Sequence, residues 1–310
     1  MTQEIVNRIC LAEFSSQPVS IERNLTGIGS YVYTLTFPSG KFILKISPDR
    51  GVIEGSSYWL SRLKDLPIPI PRIVAINADA SPAYCVLTFL EGKDLGAVYR
   101  ALTDSQKKDI ARRIFEYQTA VHGIPQANGF GYLRSYTDSA NMKPSWSDVV
   151  RSHIQRSEKR IIENGLFSPD YVNRVTGFLP RFLDYFSGIE PRAFFDDTTT
   201  KNLLIDDGRV TGIIDLDWIC FGDRLYVIAL TAMSLLAMDA DLAYVEYWKG
   251  LERLSADRER ALRFYTLVFC LDFMSEKGMR FNRDAIEPVQ SEEIDRLKGI
   301  FERLEMEAGK

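Results

Sequence analysis

Phe195-Asp196-Asp197-Thr198-Thr199-Thr200-Lys201-Asn202, followed by Ile213-Ile214-Asp215, holds three polar residues, Asp197, Asn202 and Asp215, at set spacings. Between the last two the pattern predicts a β-hairpin. Leu203-Leu204-Ile205 reads as one strand and Val210 to Ile214 as its return. Asp206-Asp207-Gly208 supplies the turn, because Asp and Gly tolerate the positive φ of a tight hairpin. A hairpin that doubles back brings its ends together. Asn202 and Asp215 are therefore expected side by side, with Asp197 one short loop away. Asp206 and Asp207 are ordinary turn residues. Asp215 is harder to dismiss, since an unpaired charge closing an apolar strand is costly. Two oxygen ligands beside a carboxylate suit phosphoryl transfer. Hard oxygens hold magnesium on nucleotide phosphates, and the carboxylate accepts the proton of an attacking hydroxyl.

Of the 310 residues 45% are apolar and 26% charged, ordinary for a globular chain long enough for two domains or lobes. A net charge of −4 argues against bulk attraction to nucleic acid or an anionic membrane. The start, Met1-Thr2-Gln3-Glu4, lacks a basic segment followed by an apolar one, so no signal peptide is expected. The longest uncharged apolar run, Leu225 to Met238, fits a buried helix better than a membrane span. Cys10, Cys85, Cys220 and Cys270 are scattered and read as reduced, buried thiols of a cytoplasmic protein. His122 and His153 suggest neither a zinc site nor a Ser-His-Asp triad; His122, just before Gly123, suits a helix end.

Residues 20–48 read as β, with turns at Leu25–Ser30 and Pro38-Ser39-Gly40. In Lys41 to Ile46, Phe42, Leu44 and Ile46 share one face, and Ile43 and Lys45 the other. A short helix from about Gly51 to Leu63 carries Glu54, the prolines at 67, 69 and 71 enforce an extended spacer, and Ile73–Ile76 and Tyr84–Leu90 complete five strands. Beyond Glu91-Gly92 the chain turns helical. Thr103 and Gln106 form a capping box, and Ser168-Pro169 opens a helix with a stripe of Val172, Val175, Leu179, Phe182 and Phe186. The fold class is α+β: a small antiparallel β-sheet lobe with one helix over residues 1–90, a connector near 88–95, and a larger, mainly helical lobe over 91–310 carrying the hairpin.

The segment around Asp197 resembles the catalytic loop and metal-binding Asp of the aminoglycoside phosphotransferase and choline kinase-like family, which shares the protein-kinase-like bilobal fold. The family pattern, His-x-Asp-x-x-x-x-Asn, a hairpin, then Asp after an apolar strand, falls on this chain with Phe195 in place of the His. The resemblance implies Asp197 as catalytic residue, and Asn202 and Asp215 as metal ligands. Gly222-Asp223 matches the Gly-Asp that follows in the family, and the likeness runs from about residue 20 to 240. Phe195 is expected to order the loop by packing, with Phe194 or Trp218. Asp196 sets a second carboxylate beside Asp197, and a shared site would raise the pKa of one of them.

Gly27, Gly29 and Ser30, between two strands, offer backbone N–H groups to phosphates. Lys45 sits where the family has its phosphate-binding lysine, and the resemblance implies Glu54 as its ion-pair partner. Val86 to Gly92 resembles the family's hinge, which implies adenine contacts from the Thr88 carbonyl and the Leu90 amide. The implied function is an ATP- and magnesium-dependent kinase acting on the hydroxyl of a small molecule. A cationic acceptor is among the candidates, through Asp239, Asp241, Glu246, Asp272 and Glu276, although solvated helix surface is the simpler use of those residues. The alternative is a nucleotide-binding relative without activity, acting as scaffold or sensor. A protein kinase fits less well, because Gly222-Asp223 follows Asp215 with no long activation segment between.

Overall fold

Five antiparallel strands, β1 (Ser20–Asn24), β2 (Tyr31–Phe37), β3 (Gly40–Ser47), β4 (Ile73–Asn77) and β5 (Ala83–Thr88), pair in the order β1-β2-β3-β5-β4. They belong to a computed structural model that describes residues 3–25, 29–138, 140–281 and 288–310. The alternation in β3 survives as two differently covered faces. Leu44 and Ile46 join Tyr33, Leu35, Tyr84 and Val86 in a core closed by Val6, Ile9 and Cys10 of helix α1 (Gln3–Phe14). The other face, with Ile43 and Lys45, meets helix α2 (Arg50–Leu63). The expectation of one helix in this region is thus corrected to two. Val6, Ile9 and Cys10 have i, i+3, i+4 spacing, so α1 is an amphipathic lid on a sheet face that would otherwise be wet.

Past β5 the chain runs through β6 (Lys93–Asp94), α3 (Leu95–Val98), α4 (Asp104–His122), β7 (Gly131–Leu133), α5 (Trp146–Asn164), α6 (Asp170–Phe178) and α7 (Leu183–Ser187). Then come β8 (Ala193–Phe194), the hairpin β9 (Leu203–Asp206) and β10 (Arg209–Ile213), β11 (Ile219–Phe221), α8 (Leu225–Ala237), α9 (Ala243–Glu252), α10 (Ala256–Glu276) and α11 (Ser291–Ala308). The capping box forms on α4: the Thr103 hydroxyl accepts from Gln106 N–H at 3.3 Å and Gln106 Oε1 accepts from Thr103 N–H at 2.9 Å. The stripe after Ser168 is buried as expected but is not one helix, because a 3₁₀ turn at 179–182 separates α6 from α7. The apolar run 225–238 is the buried helix α8, and no helix of the described residues is long and apolar enough to cross a membrane. All four cysteines are free and buried.

The larger hydrophobic core does not stop at the connector. It takes in Ile53, Trp59, Leu60 and Leu63 of α2 and Cys85 and Leu87 of β5, together with the helices beyond. Trp59 Nε1 donates to the Leu133 carbonyl at 2.7 Å, pinning α2 to β7. Ile213 N–H donates to the Pro69 carbonyl at 2.8 Å, so the proline spacer braces the end of β10.

Truncating Ile9 tests the α1 lid. Ile9→Ala should cost about 2–5 kcal/mol in denaturant unfolding, the usual penalty for emptying a buried Ile site. A cost near zero would mean that α1 does not close this core.

Candidate active site

The turn of the hairpin is the two-residue type that the sequence predicts. Asp206 pairs with Arg209, and Asp207 and Gly208 between them have φ of 46° and 70°. At the other end, Ile214 N–H donates to the Asn202 carbonyl at 3.0 Å. That bond sets Asn202 across from Ile214, the residue just before Asp215. Asp215 itself has φ +65°, a left-handed conformation unusual outside glycine, and its side chain is 53% exposed. Its carboxylate is half-exposed even though it meets the Lys45 ammonium at 2.6 Å.

Asp197 lies in the loop between β8 and β9 and accepts a hydrogen bond from the Thr199 hydroxyl. Burial pushes its carboxyl above the usual range; the Thr199 bond pulls the other way, and the charge of Asp215 pushes it further up. Asp196 points elsewhere. Its carboxylate takes a hydrogen bond from Trp218 Nε1 at 3.2 Å, and burial, then the charge of Asp197, hold it well above the ordinary value. Burial is thus the larger effect and repulsion between the neighbours the smaller. Phe195 is fully buried, like Phe194, whose ring meets Trp146 at 6.2 Å; the ring of Trp218 faces Tyr132 at 6.1 Å.

Lys45 reaches this site from β3. Its ammonium lies 2.6 Å from Asp215 Oδ1 and also hydrogen-bonds the carboxylate of Asp217. Burial alone would lower its pKa, but the two carboxylates outweigh burial and keep the lysine charged. Asp217 in turn accepts from the Ser56 hydroxyl of α2. Glu54 does not pair with Lys45. It accepts from Arg50 Nε at 2.6 Å on the exposed side of α2. The reason is helical phase. Asp49 caps α2 by accepting from Gly51 N–H at 2.9 Å, and the inward stripe is Val52, Ile53, Ser56, Trp59, Leu60 and Leu63, which turns position 54 outward. A Cβ on Gly55 would collide with the Asp217 carbonyl oxygen, so glycine lets α2 lie directly on residue 217.

The small sheet over a helical body, with Lys45, Asp197, Asn202 and Asp215 at their junction, can be compared with known proteins. The model of the phosphotransferase enzyme family (APH) matches residues 20–265. The chain belongs to this family. Among solved structures, the aminoglycoside phosphotransferase APH(4)-Ia is 18% identical, with 98% of this chain and 99% of that one covered and a TM-score of 0.71. The streptomycin–ATP complex of APH(2")-IIa is 12% identical over 98% and 96% of the two chains, with a TM-score of 0.63. A putative aminoglycoside phosphotransferase from Ralstonia eutropha JMP134 is 14% identical over 98% and 96%, with a TM-score of 0.61. The fold is the protein-kinase-like fold of aminoglycoside phosphotransferases, an antiparallel sheet followed by a helical region.

Within this phosphotransferase fold the remaining candidates are placed as follows. Gly27 lies outside the described residues; Gly29 is exposed and Ser30 buried, just ahead of β2. Thr88 closes β5, and its N–H and hydroxyl oxygen are both used by Arg72, each at 2.9 Å. Leu90 leans on β10, where a Cβ at Gly212 would come within 2.8 Å of its methyl group. The Thr211 hydroxyl donates to the Glu91 carbonyl at 2.6 Å, which ties the connector to the hairpin. The acidic residues considered for a cation are mostly engaged. Asp241 pairs with Lys107 at 2.7 Å, Glu246 with Lys249 at 3.0 Å, Glu276 with Arg160 at 3.4 Å, and Asp272 with His153 at 3.1 Å and Arg156 at 3.2 Å. Sequence reasoning missed Asp217 and Ser56. A second Asp two residues after Asp215, in an otherwise apolar stretch, was the available signal for the first.

Substitution should separate the two acidic partners assigned to Lys45. Glu54→Gln should leave ATP binding in calorimetry within about two-fold, as for an exposed ion pair. Lys45→Ala should weaken it strongly, and Asp217→Asn should weaken it more than Glu54→Gln does. Equal losses in Glu54→Gln and Asp217→Asn would return the pairing to Glu54.

Proposed function

We propose that the chain is an ATP-dependent small-molecule kinase that transfers the γ-phosphate to a substrate hydroxyl. The observation that carries this reading is the convergence of Lys45, Asp197, Asn202 and Asp215, closed by the Ile214–Asn202 backbone bond. Asp197 orients the acceptor hydroxyl and takes its proton as the oxygen attacks phosphorus. The Lys45 ammonium, kept charged by its carboxylates, holds the phosphates of the nucleotide. The backbone at Gly29 and Ser30 covers those phosphates, and the Thr88 carbonyl and Leu90 amide meet the adenine edge. Asn202 and the half-exposed Asp215 fit magnesium, a cation commonly held by one or two protein oxygens with phosphate and water completing its shell. Magnesium, when bound, neutralises charge on the phosphates.

In this reading residues 1–90 form the nucleotide lobe and 91–310 the catalytic and substrate lobe, in the cytoplasm. Solved complexes of the neighbours hold AMP-PNP with hygromycin B, ATP with streptomycin, and gentamicin, which supports ATP as donor and a hydroxylated small molecule as acceptor. A cationic acceptor would have to compete with Lys107, Lys249, Arg156 and Arg160 for the acidic residues, so the reading rests on the hydroxyl and not on charge. Phe195 motivates the second reading, a nucleotide-binding relative without transfer. A screen of hydroxylated metabolites and antibiotics for ATP consumption decides between them: magnesium-dependent ATP binding with no transfer to any compound would favour the second.

Asp197→Asn should lower turnover on the order of 10² or more, the range for losing a positioned base. Asp196→Asn should be milder. A carboxyl with a raised pKa gains its base form only at higher pH. The acid limb of kcat should therefore lie above the roughly 3.9 of a free aspartate, and it should vanish in Asp197→Asn. A larger loss in Asp196→Asn would shift the catalytic assignment by one residue.

A further inference from the structure

We propose that Gln118 is the positioning residue that holds the Asp197 loop in its working geometry; this rests on the phosphotransfer reading above. Gln118 lies on α4, is fully buried, and spends its whole amide on the loop. Its Oε1 accepts from Phe195 N–H at 3.0 Å. Its Nε2 donates to the Phe195 carbonyl at 3.0 Å and to the Thr198 hydroxyl at 3.1 Å. One side chain therefore grips the chain on both sides of Asp197, two residues before it and one residue after it.

Phe195 brings no polar side chain to this task, although its main chain is buried and must be paired. A helix amide that satisfies both the N–H and the C=O of one residue copies a strand partner. It continues the fixed geometry of β8 past Phe194, into a stretch with no strand of its own. Thr198 then extends the grip to the neighbour of Thr199, the residue whose hydroxyl meets Asp197. The simpler account is a buried glutamine that satisfies the core and does nothing for the reaction. The two accounts differ in what its removal does to turnover, as opposed to stability.

The test uses the full-length protein, Gln118→Leu, and Ile110→Ala as control, a buried residue two turns earlier on α4. Each is assayed well below its melting temperature for kcat and for KM of ATP, and by hydrogen exchange over residues 195–200. Gln118→Leu should lower kcat about 10- to 100-fold, as small displacements of a catalytic group do. KM for ATP should stay within about two-fold, because binding and positioning separate in this way. Exchange should quicken over 195–200. Ile110→Ala should change neither kcat nor that exchange. Should Gln118→Leu fail to fold, Thr198→Val removes one of the three bonds alone and should still cost several-fold in kcat. Wild-type kcat in Gln118→Leu, or in Thr198→Val if only that variant folds, would overturn the proposal and leave the kinase reading standing. A wild-type protein that transfers phosphate neither to a hydroxyl compound nor to water would overturn both.

Discussion

A lysine ammonium buried in a small β-sheet cannot stand uncompensated, and the way Lys45 is compensated organises the molecule. Leaving such a charge unpaired would cost several kcal/mol. Its partners, Asp215 and Asp217, come from the far end of the hairpin, some 170 residues along the chain. The sheet must therefore close on the hairpin. Gly55 lets α2 lie against the Asp217 backbone, Ser56 binds its carboxylate, and Trp59 hooks Leu133. Arg134 completes the junction by pairing with Asp49, the cap of α2, at 2.6 Å, while its guanidinium lies 5.9 Å over the Trp218 ring.

The loop around Asp197 uses the same material differently. Asp196 and Asp197 are consecutive, yet the chain separates them by direction, sending one to Trp218 and leaving the other with Thr199 and open to Asp215. Two adjacent carboxylates can therefore serve unlike purposes: Asp196 is a buried acid paired to an indole, and Asp197 faces the site.

Much of this was legible in the sequence, and the boundary of legibility has physical causes. Turn chemistry at Asp207-Gly208 and strand alternation are local, so the hairpin, and the meeting of its ends at Asn202 and Ile214, could be read directly. The five strands could be read for the same reason. Glu54 could not, because its role turns on helical phase: a start at Arg50 swings position 54 to solvent and position 56 inward, and an error of one or two residues in a helix start is enough to exchange them. Asp217 was hidden by treating Asp215 as the end of the pattern. Gln118 was invisible for a deeper reason. Two of its three bonds go to main-chain atoms of Phe195, which any residue would supply, and the third to the Thr198 hydroxyl, 80 residues away. Helix α1 carries a readable i, i+3, i+4 stripe; it was overlooked because the motifs begin after it.

The pairing of Lys45 also determines which contact can be given up. Asp217 is nearly covered, its side chain 12% exposed, and it is held by Ser56 as well as by the lysine. Asp215 is 53% exposed and strained into a left-handed backbone. An ion pair with one solvated partner is worth little, whereas a buried one is costly to break. For the proposed phosphotransfer, the bond to surrender to incoming phosphates is thus Lys45–Asp215. Lys45 would keep its counter-charge from Asp217, and Asp215 would become free for the proposed cation beside Asn202. In a protein whose lysine depended on a glutamate of α2, a swing of that helix would remove the counter-charge. Here the counter-charge lies two residues from the proposed metal ligand, on the same segment after the hairpin.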